Sequence, residues 1–235
     1  YCKSIELNPK DAITFNNLGN TLKELGRLEE ATISYRNALA IAPDLADAHN
    51  NLGTVLWEFN EEEAELCYQR GIALDPNCAP AYSNLGNMLS DMGRFEEAES
   101  AHRNAIAVNP EYAEAHNNLG TTLQRLRRLD EAEVYFRRAI FLRQNFGLAH
   151  LNLGRLLYGQ GNKESGIKSI EAAVSIDPSS REAKLLLAIL NARRARDNNG
   201  KEPSGLDLQE CDFELTKNPF ITNREVGPEL IAELS

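Results

Sequence analysis

One three-residue string, Asn-Leu-Gly, occurs five times in the chain at nearly constant intervals. Its copies begin at Asn17, Asn51, Asn84, Asn118 and Asn152, so the steps between them are 34, 33, 34 and 34 residues. A fixed period of about 20–50 residues is typical of solenoids, propellers and other arrays, in which each unit buries its apolar face against its neighbours. The repeat therefore restricts the architecture more than any other feature of the sequence.

Small residues follow each glycine of the string at fixed distances. One stands eleven or twelve positions later and another seven positions after that: Ala31 and Ala38, Ala64 and Gly71, Ala98 and Ala105, Ala132 and Ala139, Gly166 and Ala173. Small side chains let helices approach closely. We therefore expect the glycine and the first small residue where two antiparallel helices of one hairpin cross, and the second small residue against the next hairpin.

A proline marks the end of most units. It follows five positions after the second small residue, at Pro43, Pro76, Pro110 and Pro178, with Gln144 as the exception. Proline lacks an amide hydrogen and clashes with the preceding helical turn, so it ends a helix. Each unit is thus expected to contain two helices that stop before this position.

These residues resemble the tetratricopeptide repeat family, in which a 34-residue unit forms two helices and a turn. The resemblance implies an all-α fold, a right-handed superhelical solenoid of helical hairpins. It covers five units: 12–45, 46–78, 79–112, 113–146 and 147–180. Residues 1–11 fit the second helix of a truncated repeat, and we expect further repeats upstream. Residues 181–196 fit a capping helix, and 197–235 form an acidic linker and tail that either begins another domain or folds back on the stack.

Charge and composition exclude several classes of partner. The net charge is −10, and the nine acidic and three basic residues from Asp197 to Ser235 supply more than half of it. The body is nearly balanced and has no basic stripe for a phosphate backbone, which argues against nucleic acid. No apolar run approaches the ~20 residues of a membrane helix. The four cysteines have no zinc spacing, and without a secretory signal they indicate reduced thiols and an intracellular protein.

No arrangement of residues indicates chemistry. The sequence has no nucleophile–base pair, phosphate-binding glycine loop or zinc-protease motif. His49, His116 and His150 share one position in three units, but zinc needs its ligand nitrogens about 2.0–2.1 Å from one ion, and equivalent positions of stacked units lie much farther apart. We expect these histidines to be packing residues, and we predict no enzyme activity, metal site or cofactor.

The asparagines of the repeated string are the candidate binding residues. Each precedes an apolar leucine, so its side chain is expected to turn from the core toward the inner wall of the superhelix. The five amides, Asn17, Asn51, Asn84, Asn118 and Asn152, would form a row with a spacing of about 10 Å, and Asn20 and Asn87 lie one helical turn further on. An amide can donate to and accept from an extended peptide backbone. The alternative is that each asparagine only bridges neighbouring helices.

Three stretches strengthen a more specific resemblance. Ala-Tyr-Ser-Asn-Leu-Gly-Asn (81–87) and Ala-His-Asn-Asn-Leu-Gly-Thr (48–54 and 115–121) are similar to the tetratricopeptide arm of O-linked N-acetylglucosamine transferases, which holds substrate polypeptides along its inner surface. The resemblance implies that role for the asparagines. Two functions stay open: a scaffold that binds a protein or extended peptide, and the substrate-recruiting arm of a larger glycosyltransferase of that kind, whose catalytic domain nothing in this chain resembles.

Overall fold

The computed structural model describes residues 11–199, and its side chains through Arg194. Eleven α-helices and no strands occur among these residues, which confirms the all-α prediction. The helices are α1 (Ala12–Glu24), α2 (Leu28–Ile41), α3 (Ala46–Leu56), α4 (Glu61–Leu74), α5 (Ala79–Asp91), α6 (Phe95–Val108), α7 (Ala113–Arg125), α8 (Leu129–Leu142), α9 (Gly147–Gly159), α10 (Lys163–Ile176) and α11 (Arg181–Asn199).

The helices pack as a row of hairpins. Within each unit the first helix packs against the second, and each second helix also packs against the first helix of the next unit. The final helix, α11, packs against α10 and extends to Asn199, three residues beyond its predicted end. Contacts thus connect neighbours along the chain, which is the arrangement of a helical solenoid.

The first described helix begins with a capping side chain. The Asp11 carboxylate accepts hydrogen bonds from the backbone N–H groups of Ile13 and Thr14, at 3.1 and 3.2 Å. These N–H groups have no partner within the helix, so the carboxylate stabilises its first turn. Asp11 is therefore the N-cap of α1 and the last residue of the segment 1–11 that the sequence assigns to a truncated repeat. The rest of that predicted segment lies outside the described residues.

In each unit, a large side chain of the second helix packs directly against the glycine of the repeated string. A Cβ atom on Gly19 would lie 2.5 Å from the Tyr35 ring, and one on Gly120 would lie 2.7 Å from Phe136. The predicted contact with the first small residue is also present, since a Cβ on Gly53 would lie 3.1 Å from the Ala64 carbonyl oxygen. The glycine therefore lets the two helices cross closely and makes room for the ring.

The second small residue has a wider role than the sequence predicted. A Cβ on Gly71 would meet the Ala46 carbonyl oxygen of its own hairpin at 3.2 Å. Ala38 packs in one buried cluster with Ala12 of its own hairpin and Ala48 of the next. The predicted contact with the next hairpin is present at Ala38, and this residue also contacts its own first helix, because it lies where three helices meet.

Arginines at the turns join neighbouring second helices. Arg94 forms ion pairs with Glu97 in the next helical turn and with Glu65 of the preceding unit, both at 2.6 Å. Arg128 repeats the pattern one unit later. These pairs are partly exposed, so each contributes little to the stability of the fold. They fix the spacing of the second helices more than they stabilise the fold.

The length and composition of the helices also bear on membranes. Among the described helices, none combines the length and the apolar composition needed to cross a bilayer.

Overpacking a helix crossing tests this register. Ala98 and Ala139 are fully buried, so Ala98→Leu or Ala139→Leu should each lower the free energy of unfolding by about 1–3 kcal/mol. Ala107→Leu, at an exposed position of α6, is the matched control and should change it by less than about 0.5 kcal/mol. Denaturant unfolding of the three variants measures the difference. Equal stability of all three would show that the buried positions are misassigned.

Candidate functional site

The five asparagines of the repeated string, called here the amide row, lie on successive first helices. Asn17, Asn51, Asn84, Asn118 and Asn152 are on α1, α3, α5, α7 and α9, and each side chain is half-buried. The leucine that follows each asparagine packs into the core or against it. Because adjacent residues of a helix point in different directions, the amides lie at the edge of the core.

Each amide of the row, from the second unit on, donates a hydrogen bond to the unit before it. The acceptors, called here the acceptor row, each precede the asparagine of their own unit. The bonds run from Nδ2 of Asn51 to Asn16 Oδ1 (3.1 Å), of Asn84 to Asn50 Oδ1 (3.1 Å), of Asn118 to Ser83 Oγ (3.2 Å) and of Asn152 to Asn117 Oδ1 (3.0 Å). The asparagines therefore do bridge neighbouring helices, as the structural alternative expected.

The hydrogen bond between units is absent between the fifth unit and α11, because neither its donor nor its acceptor is present there. Leu151 takes the acceptor position in the fifth unit, and Leu186 of α11 takes the donor position. Leu151 is buried in an apolar cluster against which Leu186 packs. Donor and acceptor are thus replaced together by an apolar pair, which avoids leaving a polar group unsatisfied next to the capping helix.

The bridges leave part of each amide unused. An asparagine amide has two N–H donors and an oxygen that can accept two bonds. A bridge consumes one N–H and holds the side chain in one orientation. A second N–H and the carbonyl oxygen of each amide thus stay available in a fixed direction, although the Asn118 oxygen also lies 3.4 Å from Asn117 Nδ2.

Asn20 has a structural partner that the sequence did not reveal. Its Oδ1 accepts a hydrogen bond from the Tyr35 hydroxyl at 2.8 Å, and Thr54 accepts one from Tyr68 at 3.2 Å in the next unit. Burial raises the pKa of both tyrosines to about 12, so their hydroxyls remain donors. In the third unit His102 replaces the tyrosine opposite Asn87, which is half-buried.

The three equivalent histidines form hydrogen bonds with the backbone. Their Nε2 atoms lie 2.9–3.0 Å from the carbonyl oxygen six residues earlier: Pro43 for His49, Pro110 for His116 and Gln144 for His150. Each histidine therefore ties the end of one unit to the first helix of the next. The expectation of simple packing missed this bond, although the recurring six-residue spacing was visible. Within residues 11–194, no three potential metal ligands come together.

Tetratricopeptide-repeat profiles match four stretches of the chain: residues 1–32, 19–58, 77–145 and 148–180. Curated protein sequences gave no match.

Solved structures share the fold. The chain is 24% identical to PilF of Pseudomonas aeruginosa, with a TM-score of 0.74 over 94% of this chain and 95% of that one. It is 23% identical to PilW, a widely conserved type IV pilus biogenesis factor, with a TM-score of 0.71 over 79% and 86%. It is 25% identical to YrrB, described as a protein with an unusual peptide-binding site, with a TM-score of 0.58 over 82% and 97%.

One buried histidine makes the stability of this array dependent on pH. His102 is 1% exposed, its ring covers Gly86, and its Nδ1 atom has no hydrogen-bond partner. Burial lowers its pKa to about 4, because charge on the ring would lose its hydration. The unfolded chain therefore binds more protons than the folded one between about pH 4 and pH 6.5. The contribution of His102 to stability is complete above pH 6.5 and is lost as the pH falls through this window.

Replacing this histidine isolates the effect. Phe136 occupies the equivalent position one unit later, so His102→Phe should fold and lose this titration. Between pH 7 and pH 5 the unmodified chain should lose about 1–2 kcal/mol more unfolding free energy than the variant. Denaturant unfolding across that range measures the difference, and parallel curves would contradict the assignment.

Proposed function

Because the chain carries tetratricopeptide repeats, we propose that it is a scaffold that binds an extended polypeptide along the amide row. The observation that carries the proposal is the recurrence of one half-buried amide at the same position of five units. Asparagine is a mediocre helix former, so its presence in the middle of five helices needs a reason beyond helix stability. A row of identical amides is suited to recognising the repeating backbone of a peptide.

Bridging and binding are compatible roles for these side chains. The bridge to the preceding unit fixes the direction of the unused N–H and carbonyl oxygen before a ligand arrives. Side chains that are already ordered lose less conformational entropy on binding, which favours affinity. The bridges thus support the proposal by making the row rigid.

The spacing of the row suits an extended chain. Neighbouring helix layers are separated by about 10 Å, and three residues of a polyproline-II-like segment advance about 9 Å. Such a segment has three residues per turn, so it would present an equivalent backbone group to every amide. We propose a ligand of this extended kind, recognised mainly through its main chain.

The residues one helical turn before the amide row provide no positive charge for binding a carboxylate. The position four residues before each amide holds Ile13, Asp47, Pro80, Glu114 and Leu148, none of which is a cation. Glu114 is moreover paired with Arg143 at 2.6 Å. A clamp for a peptide's terminal carboxylate is therefore not expected here. The similarity to YrrB adds support, since that protein is described by its peptide-binding site.

A triple substitution in the row tests the proposal. Asn51→Ala, Asn84→Ala and Asn118→Ala together should weaken binding of an extended 15-residue peptide, selected from a random library for binding to this chain, by at least about 10-fold. Each lost backbone interaction is worth about 0.5–1.5 kcal/mol, and 1.4 kcal/mol corresponds to a factor of ten. Fluorescence anisotropy gives the affinity, and thermal unfolding reports the stability lost with the three bridges.

The acceptor row supplies a matched control. Asn16→Ala, Asn50→Ala and Ser83→Ala remove the same three bridges from the other side and leave the amides in place. This variant should lose similar stability but retain most of the affinity. If both variants bind as tightly as the unmodified chain, the amide row is not the binding surface. Equal losses of affinity would mean that the amides act only through the shape of the stack.

The second candidate function is the substrate-recruiting arm of a glycosyltransferase of the O-linked N-acetylglucosamine type. The asparagine-containing strings at 48–54, 81–87 and 115–121 favour it. A scaffold and a recruiting arm would bind polypeptides in the same way and differ in the catalytic domain to which the arm is joined. The sequence following Ser235 in the intact gene product would distinguish them.

Under either function the isolated chain should be catalytically silent. No side chains in the described part are arranged as a nucleophile with its base, so the 235 residues should show no turnover of sugar nucleotides above the buffer blank. Release of the nucleoside diphosphate measures this. Turnover that rises in proportion to the protein concentration would overturn the proposal that the chain only binds.

A further inference from the structure

A recess lies between the fourth and fifth units. It has a volume of about 320 Å³ and is lined by Arg137, Ile140 and Phe141 of α8, His150 and Leu153 of α9, and Ser169 of α10. Its lining is mainly apolar, with an arginine and a hydroxyl at its edge. This volume is at the small end of the range of binding pockets, about 300–1,000 Å³, and can hold one large side chain.

The equivalent place one unit earlier is filled by a tyrosine. The Tyr135 ring stacks on His116, with ring centroids 5.8 Å apart. Arg103 donates a hydrogen bond to the Tyr135 hydroxyl at 3.0 Å, and its guanidinium carbon lies 5.7 Å from the ring centroid. The interface between the third and fourth units therefore shows that a histidine and an arginine in these positions accommodate a tyrosine ring.

The recess has the same surroundings without the tyrosine. Thirty-four residues after Arg103, His116 and Tyr135 stand Arg137, His150 and Ser169. The Ser169 hydroxyl donates to the Ser165 carbonyl within its own helix, at 3.0 Å. The serine thus leaves open a space that an aromatic ring occupies in the unit before, with a histidine and an arginine in the matching positions.

An exposed aromatic residue lies at the rim. Phe141 is 71% exposed, whereas the equivalent position in the first three units is alanine: Ala40, Ala73 and Ala107. The Arg138 guanidinium carbon lies 5.2 Å from the Phe141 ring centroid. Arg138 forms no ion pair among the described residues, while Arg137 is paired with Glu133 at 2.8 Å. The recess is therefore mainly apolar, and Arg138 lies beside its lining residue Phe141. Such a site is suited to an aromatic side chain flanked by carboxylates.

We propose that Phe213, in the acidic segment 206–215 of this same chain, binds in the recess. That segment lies outside the described residues. Its sequence, Leu-Asp-Leu-Gln-Glu-Cys-Asp-Phe-Glu-Leu, carries four carboxylates and no cation, and Asp212 and Glu214 flank the phenylalanine. Arg138 complements this charge. The ring takes the place that Tyr135 occupies one unit earlier.

The chain is long enough to make this contact. Phe213 lies fourteen positions after Asn199, and an extended segment of fourteen residues spans up to about 46 Å. The α11 helix, with 19 residues, is about 28 Å long, and one helix layer adds about 10 Å. Because the segment is tethered, its effective concentration at the recess is in the millimolar range, so a modest intrinsic affinity is enough for binding.

Filling the recess tests the proposal in the full-length chain. Ser169→Tyr recreates the surroundings of Tyr135 and should fold, because the same arrangement already exists one unit earlier. It should displace the acidic segment and raise the rate of iodoacetamide alkylation of Cys211 at least about fivefold. Phe213→Ala should give the same increase. Peptide mass spectrometry separates this cysteine from the buried Cys67, whose thiol pKa burial raises to about 11.

Two matched controls accompany these variants. Ser100→Tyr places a tyrosine at an exposed position of α6 away from the recess, and Phe220→Ala removes another aromatic residue of the tail. Both should leave the Cys211 rate unchanged. Equal Cys211 rates in the unmodified chain, Ser169→Tyr and Phe213→Ala would overturn the proposal. A faster Cys211 rate in Phe220→Ala alone would also overturn it. So would protection of Cys211 that disappears when the protein is diluted, because the recess would then bind the tail of a second copy.

Discussion

The contact between a large second-helix side chain and a first-helix glycine sets the geometry of every unit. At Gly19, Gly86 and Gly154 an added Cβ atom would lie 2.5 Å from the side chain opposite, closer than any real contact. No larger residue fits unless the opposing side chain or the helices themselves shift. Because each hairpin closes in this way, its outer surfaces repeat from unit to unit, and side chains one repeat apart meet in register. Every inter-unit interaction described above depends on that register.

Two sets of polar interactions exploit the register on different helices. Amides of the first helices bridge to the preceding unit, and arginines at the turns bridge second helices, as Arg94 does to Glu65. Neither set contributes much free energy per contact, since a net hydrogen bond is worth about 1 kcal/mol and partly exposed ion pairs contribute little. Their effect is to select one relative placement of hairpins whose apolar contacts alone would tolerate several. A preset spacing between units is what an extended ligand requires.

The fold could be predicted from the sequence because the same pattern of small residues and prolines occurs in five units. Helix pairs, their order and the small residues at the crossings follow from spacing and from the physics of proline and glycine. The partners of polar side chains did not follow in the same way. The bond from Asn51 to Asn16 joins residues 35 positions apart, and that from Arg94 to Glu65 joins residues 29 apart. Such pairs emerge only when the packing of successive units is known.

Several residues differ from the repeat pattern, and most of these differences are accommodated locally. Where the acceptor becomes Leu151, the donor becomes Leu186, so a lost hydrogen bond is matched by an apolar contact. Arg127 adopts a left-handed backbone conformation (φ 61°) at a turn where the first, third and fifth units place glycine, a strain that the fourth hairpin tolerates without changing its helices. Ser169 has no such compensation within the described chain, because nothing there occupies the space that Tyr135 fills one unit earlier. The other substitutions are accommodated locally, so we expect the space beside Ser169 to be filled as well. The side chain that fills it should then lie beyond residue 199.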